Sequence, residues 1–300
     1  MKKELTPYQI KKNEKRLKQR EANIGRAKKM HEARIKKSEE LELIVVKKPK
    51  KTSTQRIYIG CSGWFYWDWK GLFYPSEIST AEWFDYYAKN FKTVELNAPF
   101  YSWPTIATVK TWIRQAKESD FIYTVKVCEL ITHIKRFKKV KTLVKDFGLI
   151  ADLLGPKMGC FLFQLPPSYR YSEEHLQDIL SQLDHSRKNV VEFRHKSWWN
   201  ETVYESFKKT GTIFCSCSGP KLPEELVKTA DDIYIRFHGT VRWYRHDYTK
   251  EQLEIWAKWI KESGAKNIWI YFNNDHDAYA IKNARELEEL IENHINPQHF

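Results

Sequence analysis

The chain has 300 residues, 42% of them hydrophobic, with 51 Lys+Arg against 38 Asp+Glu and a formal net charge of +13. This is the composition of a soluble globular protein. No segment reaches the roughly 18 consecutive apolar residues of a membrane span, and the Lys-rich start lacks the apolar stretch of a signal peptide, so a cytoplasmic protein without a membrane partner is expected.

The charge is unevenly distributed. Residues 1–56 carry 19 Lys+Arg and 7 Asp+Glu, a net of +12, which leaves 32 and 31, a net of +1, for residues 57–300. The high pI therefore belongs to an N-terminal extension, and the remainder is not a uniformly basic nucleic-acid binder. From Thr6 to Glu42 the composition favours helix. Ile10, Leu17 and Ile24 repeat every seven residues, but His31 interrupts the series, which argues against a sustained coiled coil. A solvated or partner-ordered arm, helical or disordered, is expected, and dense Lys and Arg would suit RNA or DNA phosphates. Lys47, Lys48, Pro49, Lys50 and Lys51 lead through Thr52, Ser53 and Thr54 into the first strand as a linker, and in a nucleated cell they would also resemble a nuclear-import signal.

From residue 57 onward strand-like runs alternate with amphipathic helices. Strands are predicted to begin near Ile57, Thr93, Phe121, Met158, Asn189, Thr212, Asp232 and Asn267. Helices are predicted near Thr80–Phe91, Thr105–Lys117, Lys141–Leu154, Glu173–Leu183, Glu201–Thr210, Thr249–Ser263 and Asp277–His294, with Leu222–Lys228 a poor sixth helix of barely two turns. Eight such units over 244 residues match an α/β fold of the TIM (β/α)8 barrel type with a parallel sheet; a doubly wound sheet is the alternative. Two domains follow: the basic extension and linker at 1–56, and the barrel at 57–300. The five cysteines, Cys61, Cys128, Cys160, Cys215 and Cys217, lie in apolar runs without a CxxC pair and read as reduced core thiols.

Alternation along the strands separates two faces. Ile233, Ile235 and Phe237 oppose Tyr234, Arg236 and His238; Val94 and Leu96 oppose Glu95 and Asn97; Val125 and Val127 oppose Lys126; Val191 and Phe193 oppose Glu192 and Arg194; Ile270 and Phe272 oppose Tyr271 and Asn273; Gln164 ends the fourth strand. Barrel lumens are ordinarily filled with branched apolar residues. Charges there must pair, meet water or meet a ligand, because burial without partners costs several kcal/mol each.

Seven motifs in order carry a resemblance: GCSGW at Gly60–Trp64, VELNAPFY at Val94–Tyr101, ITH at Ile131–His133, FQLPPS at Phe163–Ser168, VEFRHKSW at Val191–Trp198, YIRFHG at Tyr234–Gly239 and YFNND at Tyr271–Asp275. Together they resemble the YecE-like family, domain of unknown function number seventy-two, over residues 57 to about 294. The resemblance implies a TIM barrel and brings no established reaction. Cys61 stands where the family commonly has Thr, and Pro99 where it commonly has a small hydroxyl residue.

The expected site gathers Glu95, Glu192 and His238 for proton transfer, with Lys126, Arg194, His195 and Arg236 as cations and Asn97, Gln164, Asn273 and Asn274 as amides. Trp64, Tyr101, Trp103, Trp198, Trp243 and Tyr244 are expected as aromatic walls. The leading expectation is an enzyme, a hydrolase, lyase or isomerase, acting on a small phosphorylated, nucleotide-like or sugar-like anion by carboxylate acid/base chemistry. The alternatives are a clamp role for Glu192 on Arg194 or Arg236, hydrogen-bonded structural roles for His195 and His238, a glycosidase using Glu95 and Glu192, a non-catalytic nucleic-acid or nucleotide binder, and a scaffold for a protein partner. No cofactor is expected, the alternative being a divalent metal on Glu95, Glu192, His195 and His238, which the neighbouring cations oppose.

Overall fold

The computed structural model describes residues 6–41, 55–116 and 120–295, with side chains omitted at 38–41 and 293–295. Eight parallel strands close into a barrel in chain order: β1 (Arg56–Cys61), β2 (Thr93–Leu96), β3 (Ile122–Lys126), β4 (Met158–Gln164), β5 (Asn189–Glu192), β6 (Ile213–Ser218), β7 (Asp232–Phe237) and β8 (Asn267–Phe272), with β8 paired to β1. The helices are α1 (Pro7–Leu41), α2 (Trp83–Asn90), α3 (Ala98–Tyr101), α4 (Ile106–Gln115), α5 (Lys141–Leu154), α6 (Glu173–Gln182), α7 (Glu201–Thr210), α8 (Lys250–Glu262) and α9 (Tyr279–Ile295). The predicted strands begin within one residue of those observed, and the doubly wound alternative is excluded by the β8–β1 closure.

Local chemistry explains the helix starts. Thr105, Ser172, Asn200 and Thr249 each accept a hydrogen bond from the backbone N–H three residues on, and Thr249 with Gln252 completes a capping box. The sixth helix does not form. Pro223 has no N–H to donate, and the segment instead runs without regular structure beside β6, where Val227 N–H donates to Ser216 Oγ and Phe214 N–H to Thr229 Oγ1.

The barrel's outer strand face packs Val94, Leu96, Val125, Val191, Ile235 and Ile270 under the helices. Inside the lumen a second cluster joins Cys160, Leu162, Val190, Ile213, Cys215, Tyr234, Trp269 and Tyr271. All five cysteines are buried and free, as expected from their apolar settings.

The arm does more than the sequence led us to expect. α1 lies along α5, burying Asn23, Ala27 and Met30. Asn23 Oδ1 accepts from Trp103 N–H at 2.9 Å and Asn23 Nδ2 donates to the Tyr101 carbonyl at 3.0 Å. Arg34 Nε donates to buried Asp146 at 2.8 Å, and Arg20 pairs with Glu129. Ile10, Leu17 and Ile24 remain exposed, so the seven-residue repeat marks a face other than the docked one. Lys47–Thr54, the expected linker, lies outside the described residues.

Candidate active site at the barrel mouth

Residues two apart on a strand share a face, so Tyr234, Arg236 and His238 climb the lumen toward the C-terminal mouth. Arg236 is fully buried and centres the site. Its Nη1 donates to Glu192 Oε2 and its Nη2 donates to Glu95 Oε1, tying β7 to β5 and β2. Glu95 also accepts from Ser62 Oγ at 2.9 Å and from the Tyr234 hydroxyl. Glu192 also accepts from Arg194 Nε. Although burial alone would raise it, the Arg194 and Arg236 guanidiniums hold the Glu192 carboxyl well below the usual carboxylate range. Both glutamates are therefore engaged, and Glu192 is a fixed anion.

His238 follows β7 and is fully buried. Asn273 Nδ2 lies 3.1 Å from its Nδ1, while Arg194 Nη2 and Glu192 Oε1 face its Nε2 at 3.1 and 3.3 Å. Burial, then Arg194 and Arg236, push its pKa far below the ordinary imidazole value, so it is neutral. Trp243 covers the guanidinium of Arg194 at 4.5 Å. The loop carrying Trp243 turns at Gly239, where φ is +99° and a Cβ would lie 2.5 Å from the Arg242 carbonyl oxygen.

Lys126 ends β3 with 8% of its surface exposed. Its Nζ sits 4.3 Å from the centre of the Phe100 ring, and no carboxylate or hydrogen-bond acceptor reaches it among the described residues. Burial first and the Arg236 charge second lower its pKa to about 7. His133, edge-on to the same Phe100 ring, is lowered to about 4 by burial and then by Lys126 and Arg194.

These geometries sit in a chain whose residues 58–299 match the family described as Protein of unknown function DUF72. The chain belongs to this family. Among its relatives, the UPF0759 protein YunF of Bacillus subtilis is 27% identical over 79% of this chain and 95% of its own length, and the UPF0759 protein YecE of Escherichia coli is 24% identical over 69% and 80%. A DUF72 family protein from Thermotoga maritima superposes with a TM-score of 0.71 at 27% identity, covering 79% of this chain and all of its own. One from Enterococcus faecalis, 17% identical over 79% of this chain and 95% of its own, shares the fold with a TM-score of 0.67.

Not every residue expected in the site of this DUF72 barrel reaches it. Trp198 is buried between Phe193 and the Tyr169 side, its Nε1 donating to the Tyr169 carbonyl, and Trp103 is buried against Phe147; both are core residues rather than ligand walls. Trp64 packs edge-on to Phe84. His195 caps a short turn, its Nδ1 2.8 Å from Ser197 Oγ, and Asn274 donates to the His246 carbonyl and to Asn283 of α9. Trp243 flanks the site, Tyr244 stands edge-on to His238, and Tyr101 is 60% exposed at the rim. Gln164 and Asn97 line the upper strand ends half-buried, Asn97 Nδ2 donating to the Ser62 carbonyl at 2.9 Å.

Among the described residues the alternative metal set of Glu95, Glu192, His195 and His238 does not converge as a ligand group. Glu192, Cys217 and His238 instead place one potential ligand atom each within 4.8 Å of one another. The donor set fits a divalent ion poorly, since Glu192 already meets two guanidiniums and Arg194 faces His238. Ser62, Cys217 and Asp275 escaped the sequence reading. Ser62 sits in GCSGW and Asp275 in YFNND, so motif membership could have drawn attention to both; Asp275, raised to about 7 by burial, neighbours Tyr66.

Among the described residues no helix is long and apolar enough to cross a membrane.

Proposed function

We propose that the mouth is an active site for a small anionic carbonyl compound, phosphorylated or sugar-like, in which Lys126 is the nucleophile. The observation that carries this reading is a buried amine, without a carboxylate partner among the described residues, at the C-terminal end of a barrel strand. Active sites of this fold lie at that face. Burial first, and then the Arg236 charge, lower the pKa of the amine to about 7, so a substantial fraction is unprotonated near neutral pH, the state that attacks carbonyl carbon. The Nζ lone pair adds to the carbonyl carbon as its oxygen is protonated, and the carbinolamine loses water. The protonated imine takes up the electron pair of an adjacent C–H or C–C bond as that bond breaks and releases a proton to water or a carbonyl fragment, and water then hydrolyses the imine to free Lys126. That pattern suits a lyase or isomerase. Arg194 offers its remaining guanidinium edge to the substrate anion, neutral His238 positions Arg194 and Asn273 through its two ring nitrogens, and Gln164 and Asn273 border the opening. Glu95 and Glu192 hold Arg236 in place instead of transferring protons.

Borohydride reduction of the intact protein with a panel of phosphorylated and carboxylated aldehydes and ketones tests this reading. Peptide mass spectrometry should find a reduced adduct on Lys126 with at least one compound, and Lys126→Met should lose both the adduct and turnover of that compound by at least about 100-fold. Adducts confined to surface lysines, equal in both proteins, would overturn it.

A further inference from the structure

The N-terminal half of α1 has no counterpart in the chemistry above. Every residue from Thr6 to Lys18 is exposed, and this stretch carries Lys11, Lys12, Lys15, Arg16 and Lys18 against Glu14 alone. Thirteen residues from Pro7 to Gln19 extend about 20 Å at the helical rise. The helix is held just past the C-terminal end of this stretch. Arg20 pairs with Glu129 after β3, and Asn23 bridges the Tyr101 carbonyl and Trp103 N–H after β2.

Those two anchors belong to rim loops with their own features. The loop after β3 presents exposed Lys135, Arg136, Lys138 and Lys139, and Glu129, its acidic residue, is already taken by Arg20. The loop after β2 presents the exposed Tyr101 ring, which stands edge-on to Phe100, the ring beneath Lys126. A basic helix, a basic rim and an exposed aromatic ring thus meet at one edge of the barrel mouth.

We infer that this edge is a binding track for single-stranded nucleic acid, with phosphates along α1 and the β3 rim and a base stacked on Tyr101. Dense unpaired cations along a rigid rod suit a regularly charged polyanion, and a lone exposed ring takes any unpaired base but cannot enter a stacked duplex. The exposed apolar residues of α1, Ile10, Leu17 and Ile24, recur only once per two turns, too thin a stripe for insertion into a lipid surface. The anchors fix the C-terminal end of the track at the rim of the mouth.

Fluorescence anisotropy of a labelled 20-nucleotide oligouridylate with the full chain tests the track. Binding should weaken with salt at a slope of about −3 to −4 in log–log form, as four to six neutralised phosphates require. Lys11→Glu/Lys15→Glu/Lys18→Glu should cut affinity at least about tenfold and flatten the slope. Tyr101→Ala should cut affinity about 5- to 100-fold at an unchanged slope. Because the helix variant can lose its fold, Lys135→Glu/Lys139→Glu on the barrel rim provides a second reading and should also flatten the slope. Wild-type affinity in both charge variants, equal affinity for a blunt 20-base-pair duplex, or tighter binding to phosphatidylserine vesicles than to the RNA would each overturn the inference.

Discussion

Two layers of the same lumen meet the cost of burying polar atoms in opposite ways. In the lower layer Tyr271 joins a neutral chain. The Thr93 hydroxyl donates to the Ile122 carbonyl, so it must accept from the Tyr271 hydroxyl at 2.7 Å, which in turn accepts from Thr124 at 2.9 Å. Aliphatic and aromatic neighbours fill the rest, including Trp269 stacked on Tyr58 at 4.2 Å. Two residues higher on the same strands, Glu95, Lys126, Glu192 and Arg236 replace Thr93, Thr124, Val190 and Tyr234. The Thr93–Tyr271–Thr124 chain needs no charge to be satisfied, although Tyr234 and Trp269 beside it donate to Glu95 and Asp232, whereas the upper layer survives burial only through mutual pairing. Replacing such ion pairs with apolar residues is often neutral or stabilising, so stability alone does not account for the upper layer. What it supplies is a rigid arrangement of charges around one free amine.

Substitutions can break this contrast, and the largest effect belongs to Arg236→Ala. It leaves two buried carboxylates without their shared cation and should lower the unfolding free energy by about 3–5 kcal/mol, read from urea denaturation. A loss under about 1 kcal/mol would mean that the upper layer is solvated and no different in kind from a surface network.

A pH titration sharpens the role of Lys126. The unfolded lysine keeps its proton to about pH 10.4, whereas the folded amine releases it near 7. Between these values the unfolded chain binds more protons, so wild-type stability should rise with pH relative to Lys126→Met, by on the order of a few kcal/mol from pH 7 to 10. Below pH 7 the penalty of holding the charged amine is fully present, and Lys126→Met should be the more stable protein. Parallel stability curves for the two proteins over that range would show the amine to be charged and paired.

The lower layer should respond least. Tyr271→Phe removes a neutral hydroxyl from a chain of three and should cost about 1–2 kcal/mol without pH dependence between 6 and 9, measured by the same denaturation. A larger, pH-dependent loss would couple it to Glu95 above and erase the distinction between layers.

Much of this architecture can be read along the chain. Strand starts, the lumen-facing set and most helix caps follow from alternation and from Ser, Thr and Asn at helix starts, which act within three or four residues. The docking of α1 was invisible because its buried face is one amide, one methyl and one methionine, Asn23, Ala27 and Met30, rather than a stripe of several large apolar residues. Trp198, Trp103, His195 and Asn274 sit within or beside site motifs, yet each turns to a local packing or capping duty.

Which face a residue occupies is a local property, set by the two-residue period of a strand and decided by its immediate neighbours. Partner choice is not. Whether a lumen cation is neutralised depends on which strands the closed barrel brings together. Arg236 meets Glu95 and Glu192 across the lumen, while Lys126, equally marked by alternation, lies over the Phe100 ring with no ion pair among the described residues and feels the Arg236 and Glu192 charges only at longer range. The cationic mouth expected from alternation thus becomes, through closure of β1 onto β8, a largely neutralised cluster with one amine left over.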